Sequence, residues 1–349
     1  MSYAMSVLMA VLSGASIALL GLVYKTAQTR RCRGAAFTTV FCLVAGVLAL
    51  AAALVEGTTW GDWRLWAIGL MMGVSLFGAL MLVVPMYALG PASISWMFMN
   101  LGLLGPILVS SLAFGETMYW LDLGLLGLFL VMLLVVAWSM RGPQTRGSTG
   151  VPPVAPCGTA ETAVLHRRTD GTTTNGTPNP DAMSGLVTPV PRYMLLLGAE
   201  FVLGAVFMSG QKAKFHEFGH ANSPGLMAIF YLTCASLSWL TGGVMGRGQP
   251  IQAKEWKMGL LAGLASAAGQ ILVLAAMDLP AVVVYPITCG LSLVGGMALT
   301  AVFYKERFGG LKLAALALGL AVFLGACMRD GVVSWLSFLH ANPVLIPGR

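Results

Sequence analysis

Apolar residues run along this chain in ten long stretches, parted by short polar breaks and by one long one. The stretches cover about 3–24, 35–56, 65–86, 92–113, 119–140, 193–212, 226–246, 257–278, 280–303 and 311–329. Each predicts a spanning helix, because about 20 residues rising ~1.5 Å apiece cross a hydrocarbon core of ~30 Å. The first stretch has neither a basic segment before it nor a small-residue cleavage pattern after it, so it is expected to be a helix rather than a signal peptide.

Composition agrees with the pattern. Hydrophobic residues make up 57% of the 349 and charged residues 9%, with a mean hydropathy of +0.82. Soluble domains carry about 25% charge. The expected class is all-α and integral to a membrane. The long polar break, 141–192, is rich in Pro, Gly and Thr and lacks the periodic apolar positions a core needs, so it is expected to be a disordered linker. Within it Asn175-Gly176-Thr177 is formally a glycosylation sequon, disfavoured by the following Pro178. The domain organisation that follows is a five-helix unit over 1–140, the linker 141–192, a second five-helix unit over 193–330 and a tail over 331–349.

The two units repeat one another. A gapless shift of 190 residues carries Trp66, Gly69, Leu70 and Gly73 onto Trp256, Gly259, Leu260 and Gly263. The same shift carries Leu101, Leu103 and Gly105 onto Leu291, Leu293 and Gly295, Glu116 onto Glu306, and Tyr3 and Gly14 onto Tyr193 and Gly204. An odd number of helices per repeat makes consecutive repeats enter the membrane from opposite sides, giving two inverted five-helix repeats. Many secondary transporters are built this way, because two equivalent halves can rock about a site near the midplane. The glycines four apart suit close packing of helices, and the tryptophans ahead of them suit interfacial anchoring.

With these residues in place the chain resembles the drug/metabolite transporter superfamily, in particular its EamA-like members. The resemblance rests on Ala88-Leu89-Gly90-Pro91-Ala92 through Gly105-Pro106 to Phe114-Gly115-Glu116, and on Leu279-Pro280-Ala281 through Gly295-Gly296 to Tyr304-Lys305-Glu306-Arg307. Gly296 stands where the first copy has its central proline, Pro286 comes earlier, and Lys305 replaces the usual glycine. The resemblance implies a carrier of small metabolites such as amino acids, sugars or nucleotide precursors, or of drugs, in the plasma membrane, which in a bacterium is the inner one. It does not choose among substrates.

Basic residues give an orientation. Fifteen of the twenty Lys and Arg fall in the linker or in the loops after the first, seventh and ninth stretches. Lys and Arg in loops favour the cytoplasm, which places the linker inside and both termini outside. The family resemblance implies the reverse, and we adopt the charge count. The net charge of +7 belongs to loops beside anionic head groups, and no nucleic-acid-binding motif accompanies it. The six cysteines form no Cys-x-x-Cys pair, and neither a metal nor a cofactor is expected. No phosphate-binding G-x-x-x-x-G-K-[ST] loop points to ATP as an energy source.

His216-Glu217-Phe218-Gly219-His220 matches H-E-x-x-H, which on a helix would hold zinc with the glutamate as general base. An intramembrane metalloprotease is therefore an alternative, as is a channel or receptor. Against the protease, the motif is expected in a loop after the sixth span, no third ligand is in place, and proteolysis has no use for the repeat. The histidines read more simply as a polar interfacial loop.

Glu200 is the ionisable residue deepest in any span. Placing a carboxylate near a bilayer centre costs roughly 2.5 to 3.5 kcal/mol, so a proton, a cationic substrate group or hydrogen bonds in a wet cavity must offset it. Helical spacing sets Glu200, Gly204, Phe207 and Gln211 on one stripe, whose repeat partners are Ala10, Gly14, Ile17 and Gly21. These four are candidates for substrate binding or proton coupling, together with Trp96, Asn100, Tyr231, Gln270, Tyr285 and Thr288. Trp96, Asn100, Tyr285 and Thr288 flank Pro106 or Pro286, where a kink frees carbonyls. Glu116 and Glu306 are expected to serve structurally at helix starts. The partners implied are a small-molecule substrate, protons and the lipid bilayer.

Overall fold

The computed structural model describes residues 2–89, 102–116, 119–139, 190–245, 250–304 and 310–329. Trp96, Asn100, Lys305, Glu306, the tail 331–349 and all of the linker but its last three residues lie outside this set. Among the described residues the architecture is all-helical. The helices are α1 (Tyr3–Thr29), α2 (Gly34–Glu56), α3 (Trp63–Leu89), α4 (Leu104–Ala113), α5 (Trp120–Ser139), α6 (Val190–Phe218), α7 (Ser223–Met245), α8 (Ala253–Ala275), α9 (Ala281–Tyr304) and α10 (Gly310–Cys327). Six of them, α1, α2, α3, α6, α7 and α8, are long and apolar enough to cross a membrane, and the other four carry shorter apolar segments.

Local chemistry sets the ends. Gly57 closes α2 with φ +71° and an N–H bonded to the Ala53 carbonyl, a left-handed conformation natural to glycine. Gly219, at φ +57°, does the same for α6, its N–H reaching the Phe215 carbonyl. At the start of α8, Gln252 and Glu255 form a reciprocal capping box. The largest departure from the hydropathy pattern is α6. It begins at Val190, inside the expected linker, and runs to Phe218 instead of stopping near residue 212. Lys212 and Lys214 ended the apolar run, but lysine is a good helix former, and the first true breaker is Gly219.

Tyr3 at the start of α1 donates its hydroxyl to the Ala326 carbonyl near the end of α10. Arg33, between α1 and α2, meets Glu255 at the start of α8. Lys254 joins the same basic end through the Arg31 carbonyl, and Asn222, just after α6, meets Thr59 between α2 and α3 at the far end, so α1 runs toward the basic end and α6 away from it. Helix α2 packs on α7 and α8, α1 on α8 and α9, α3 on α6 and α7, α4 on α6, and α5 on α10. Exchanging each helix for the one five places away maps these pairs onto one another: α2 with α7 and α5 with α10 onto themselves, α1 with α8 onto α6 with α3, α1 with α9 onto α6 with α4, and α2 with α8 onto α7 with α3. Helix α9 also packs on α10, a pair that α4 and α5 do not match among the described residues.

The glycines four apart are where backbones touch. A Cβ added at Gly73 would lie 2.6 Å from Thr233 Cβ and 2.8 Å from the Phe230 carbonyl oxygen. At Gly263 it would lie 2.8 Å from the Phe41 carbonyl oxygen, and at Gly259 2.6 Å from Val40 Cβ. The two motifs therefore seat α3 against α7 and α8 against α2 in matching fashion. Trp66 and Trp256 are both exposed, as anchors would be, and the Trp66 indole N–H donates to the Trp60 carbonyl at 2.9 Å.

Candidate functional site

Three of the sequence candidates come together near the far end of the bundle. Gln211 on α6 donates its amide N–H to Gln270 Oε1 on α8 at 2.6 Å. Tyr285 on α9 donates its hydroxyl to the Met208 carbonyl at 2.8 Å, with Gln211 Oε1 at 3.5 Å. Gln211 and Tyr285 are buried, at 3% and 2% exposure, while Gln270 is only half-buried. The cluster is neutral, amphoteric in hydrogen bonding and drawn from three helices of the second half. It can orient a polar group by donating and accepting without a fixed charge.

Tyr231 on α7 belongs to a separate group. Its hydroxyl lies 2.6 Å from Ser266 Oγ, and its ring stands 4.3 Å from that of Phe230, which in turn meets Phe207 edge-on at 5.4 Å. Thr288 turns its hydroxyl to the carbonyls of Val284 and Tyr285 in its own helix, and α9 remains helical through Pro286. The expected stripe on α6 therefore does not act as one surface. Gln211 serves the amide cluster and Phe207 the aromatic one, while half-buried Gly204 sits between contacts that its neighbours make with α3 and α4. An added Cβ at Gly78 would meet Leu203, and one at Gly105 would meet Ala205.

Glu200 lies eleven residues before Gln211, about 16 Å along the helix. It is 1% exposed, and among the described residues its Oε2 has no hydrogen-bond partner. An unsatisfied buried carboxylate oxygen is costly unless something offsets it. Its repeat partner Ala10 is also buried.

No protein-family model matches this chain, and no curated protein matches it. Among solved structures 26 chains are similar. One of them, a crystal structure of a protein, superposes with a TM-score of 0.61 at 18% identity, over 93% of this chain and 96% of that one. This is a likeness of fold.

Two buried lysines were not anticipated as part of the interior. Lys212 is 3% exposed; its Nζ lies 2.6 Å from Glu116 Oε1 and donates to the Leu279 carbonyl at 3.1 Å. Glu116 Oε2 accepts the N–H of Ala281 at 2.9 Å, so this carboxylate caps α9 rather than the helix that follows it in sequence. Lys214 is 1% exposed and donates to the Gly219 carbonyl and to Ser223 Oγ, tying the end of α6 to the start of α7. The signal for both was the absence of any helix breaker between Lys212 and Gly219.

A further ion pair, Arg329 to Asp122 at 2.6 and 2.9 Å, fastens the end of α10 to the start of α5. The three polar residues of the H-E-x-x-H motif part company. His216 stacks on Phe114 with centroids 4.4 Å apart, Glu217 pairs with Arg64 at 2.8 Å, and His220, beyond the helix end, meets Asp278 at 2.8 Å. Among the described residues no three His, Cys, Asp or Glu side chains are placed to share a metal. A mostly apolar groove of about 380 Å³ between α2, α3 and α7, lined by Trp60, Trp66 and Leu232 among others, contains none of the candidates except by adjacency along α7.

Proposed function

We propose that this protein is a secondary transporter of a small polar metabolite, working by alternating access with ten spanning helices in two inverted repeats, and that it belongs with the EamA-like drug/metabolite transporters in the plasma membrane. The observation that carries the reading is the exchange of helix pairs between halves: α1 with α8 answers α6 with α3, and α1 with α9 answers α6 with α4, while α1 and α6 run oppositely. Two packings of nearly equal energy, related by swapping the halves, are what alternating access needs. The polar cluster of Gln211, Gln270 and Tyr285 supports a polar cargo. Glu200 is assigned the coupling role, holding a proton or a cationic group in turn.

The test has two steps. Purified protein is screened for thermal stabilisation across a panel of amino acids, sugars, nucleotide precursors and cationic drugs. Each stabilising compound is then assayed for saturable counterflow in proteoliposomes. Ionic conductance without counterflow would make the protein a channel, and chelator-sensitive cleavage of a peptide would make it a protease.

A further inference from the structure

The last turns of α6 hold the far end of the bundle together through contacts that join the two halves. Lys212 reaches Glu116 at the α4–α5 corner and the Leu279 carbonyl at the α8–α9 corner. The carboxylate of Glu116, a residue of the first half, meets two second-half groups, Lys212 and the Ala281 N–H. Around this pair stand the Phe114–His216 stack and the His220–Asp278 contact. The residue immediately before Lys212 is Gln211 of the polar cluster, so the ion pair lies between that cluster and the far end.

Resting on the transporter reading, we propose that the Lys212–Glu116 pair is the gate of the far end: made, it seals the path from the polar cluster to that side, and broken, it opens it. The chemistry suits a reversible contact. A buried ion pair contributes little net stability compared with apolar packing, because desolvating two charges offsets most of their attraction. Separating it into water rehydrates both partners, so opening is easy, whereas parting an apolar seam of the same size would expose surface with nothing returned. Glu116 is already 29% exposed at the rim while Lys212 is 4% exposed behind it, an order that lets water reach the carboxylate first. The device also has a direction. The repeat shift carries Glu116 to Glu306, but Lys212 corresponds to Leu22, so the same pair at those positions cannot form at the basic end.

A reporter thiol behind the gate tests this without a substrate. Gln270→Cys is introduced in the full chain, reconstituted, and treated from the far side with a membrane-impermeant maleimide, its modification being followed by mass spectrometry of the peptide. Lys212→Met keeps the side-chain stem, and Glu116→Gln keeps an acceptor for Ala281 while removing the charge. Each is expected to speed labelling about tenfold, as a shift of the closed population by that factor would. Labelling at the parent rate in both variants, with folding intact by thermal melt, overturns the gate.

A second arm does not depend on those variants folding. Cysteines replacing Phe114 and His216 are joined by a short bis-maleimide, which is expected to abolish counterflow, while counterflow that persists in the fully cross-linked protein overturns the gate. Absence of counterflow in the parent protein would instead sink the transporter reading, and the labelling arm would still decide the gate.

Discussion

Cys42 on α2 and Cys234 on α7 meet with their sulfurs 3.4 Å apart, both wholly buried, where the two halves of the chain cross. This helix pair maps onto itself when the halves are exchanged, so it lies at the centre of the proposed pseudosymmetry. Lipid-soluble oxidants should join the two thiols. With a protease site inserted in the linker, oxidised and cleaved protein is expected to migrate as one species without reductant and as two halves with it. Cys42→Ser is expected to abolish the cross-link, and halves that separate after oxidation of the parent chain would refute the α2–α7 contact.

The glycine seats give a paired prediction. Gly73→Ala and Gly263→Ala each force a Cβ to within 2.8 Å of a carbonyl oxygen on the facing helix. Each is expected to destabilise by about 1 to 3 kcal/mol, the usual range for overpacking. Gly124 and Gly127 on α5 have nothing within 4 Å of an added Cβ. Alanine there is expected to be neutral or stabilising by up to ~1 kcal/mol, because it favours the helix. Thermal unfolding of the four variants in one detergent checks the contrast, and equal losses at all four would undo it.

At the basic end one carboxylate does several jobs. Glu255 is fully buried; it receives the Arg33 side chain at 2.9 Å from both oxygens and also accepts the backbone N–H groups of Arg33 and Gln252. Glu255→Ala removes the pair and the capping box together, and is expected to lower stability by about 3 to 5 kcal/mol, as breaking buried pairs does. Glu255→Gln keeps an acceptor for the backbone groups and is expected to lose less. Chemical denaturation in mixed micelles ranks the two.

Hydropathy placed the helices well, because the need to satisfy every backbone polar group in lipid leaves apolar runs little choice but to be helical. It placed their ends less well. Lys212 ends its apolar run, yet its partner Glu116 comes from 96 residues earlier, and Arg329, the last residue of the tenth stretch, is enclosed by Asp122, 207 positions away. Local composition carries no record of such partners. The amide cluster was legible as separate polar residues, but the stripe that linked Gln211 to Glu200 was drawn from one helix alone. The helices packed against α6 divided it, sending Gln211 to Gln270 and Phe207 to Phe230.

Charge and resemblance give opposite orientations, and Cys32 is placed to distinguish them. It sits half-buried in the α1–α2 connection at the basic end, where burial raises its thiol above the ordinary value. Labelling should therefore be slow at neutral pH and quicken as the pH rises, since the thiolate is the nucleophile. With the basic end in the cytoplasm, an impermeant maleimide is expected to modify Cys32 in inside-out vesicles and not in right-side-out ones. Labelling only in right-side-out vesicles would reverse the orientation and favour termini in the cytoplasm.

Glu200 offers the sharpest separation of stability from function. Its carboxylate is buried at 1% exposure, and its Oε2 has no hydrogen-bond partner among the described residues. Glu200→Gln removes the ionisable group at constant shape, and Glu200→Leu removes the polar group as well. Glu200→Leu is expected to unfold at a temperature equal to or above that of the parent, because it removes a buried polar atom without a partner, which costs roughly 1 to 3 kcal/mol, and Glu200→Gln is expected to unfold close to the parent. Uptake driven by a pH gradient, by contrast, is expected to fall at least about tenfold, with exchange at equal pH less affected, since only coupled movement needs the proton to come and go. Two results would sink the role. Uptake with an unchanged pH dependence in Glu200→Gln means that the acid does not couple transport. A clear loss of thermal stability in both variants means that the carboxylate holds helices together.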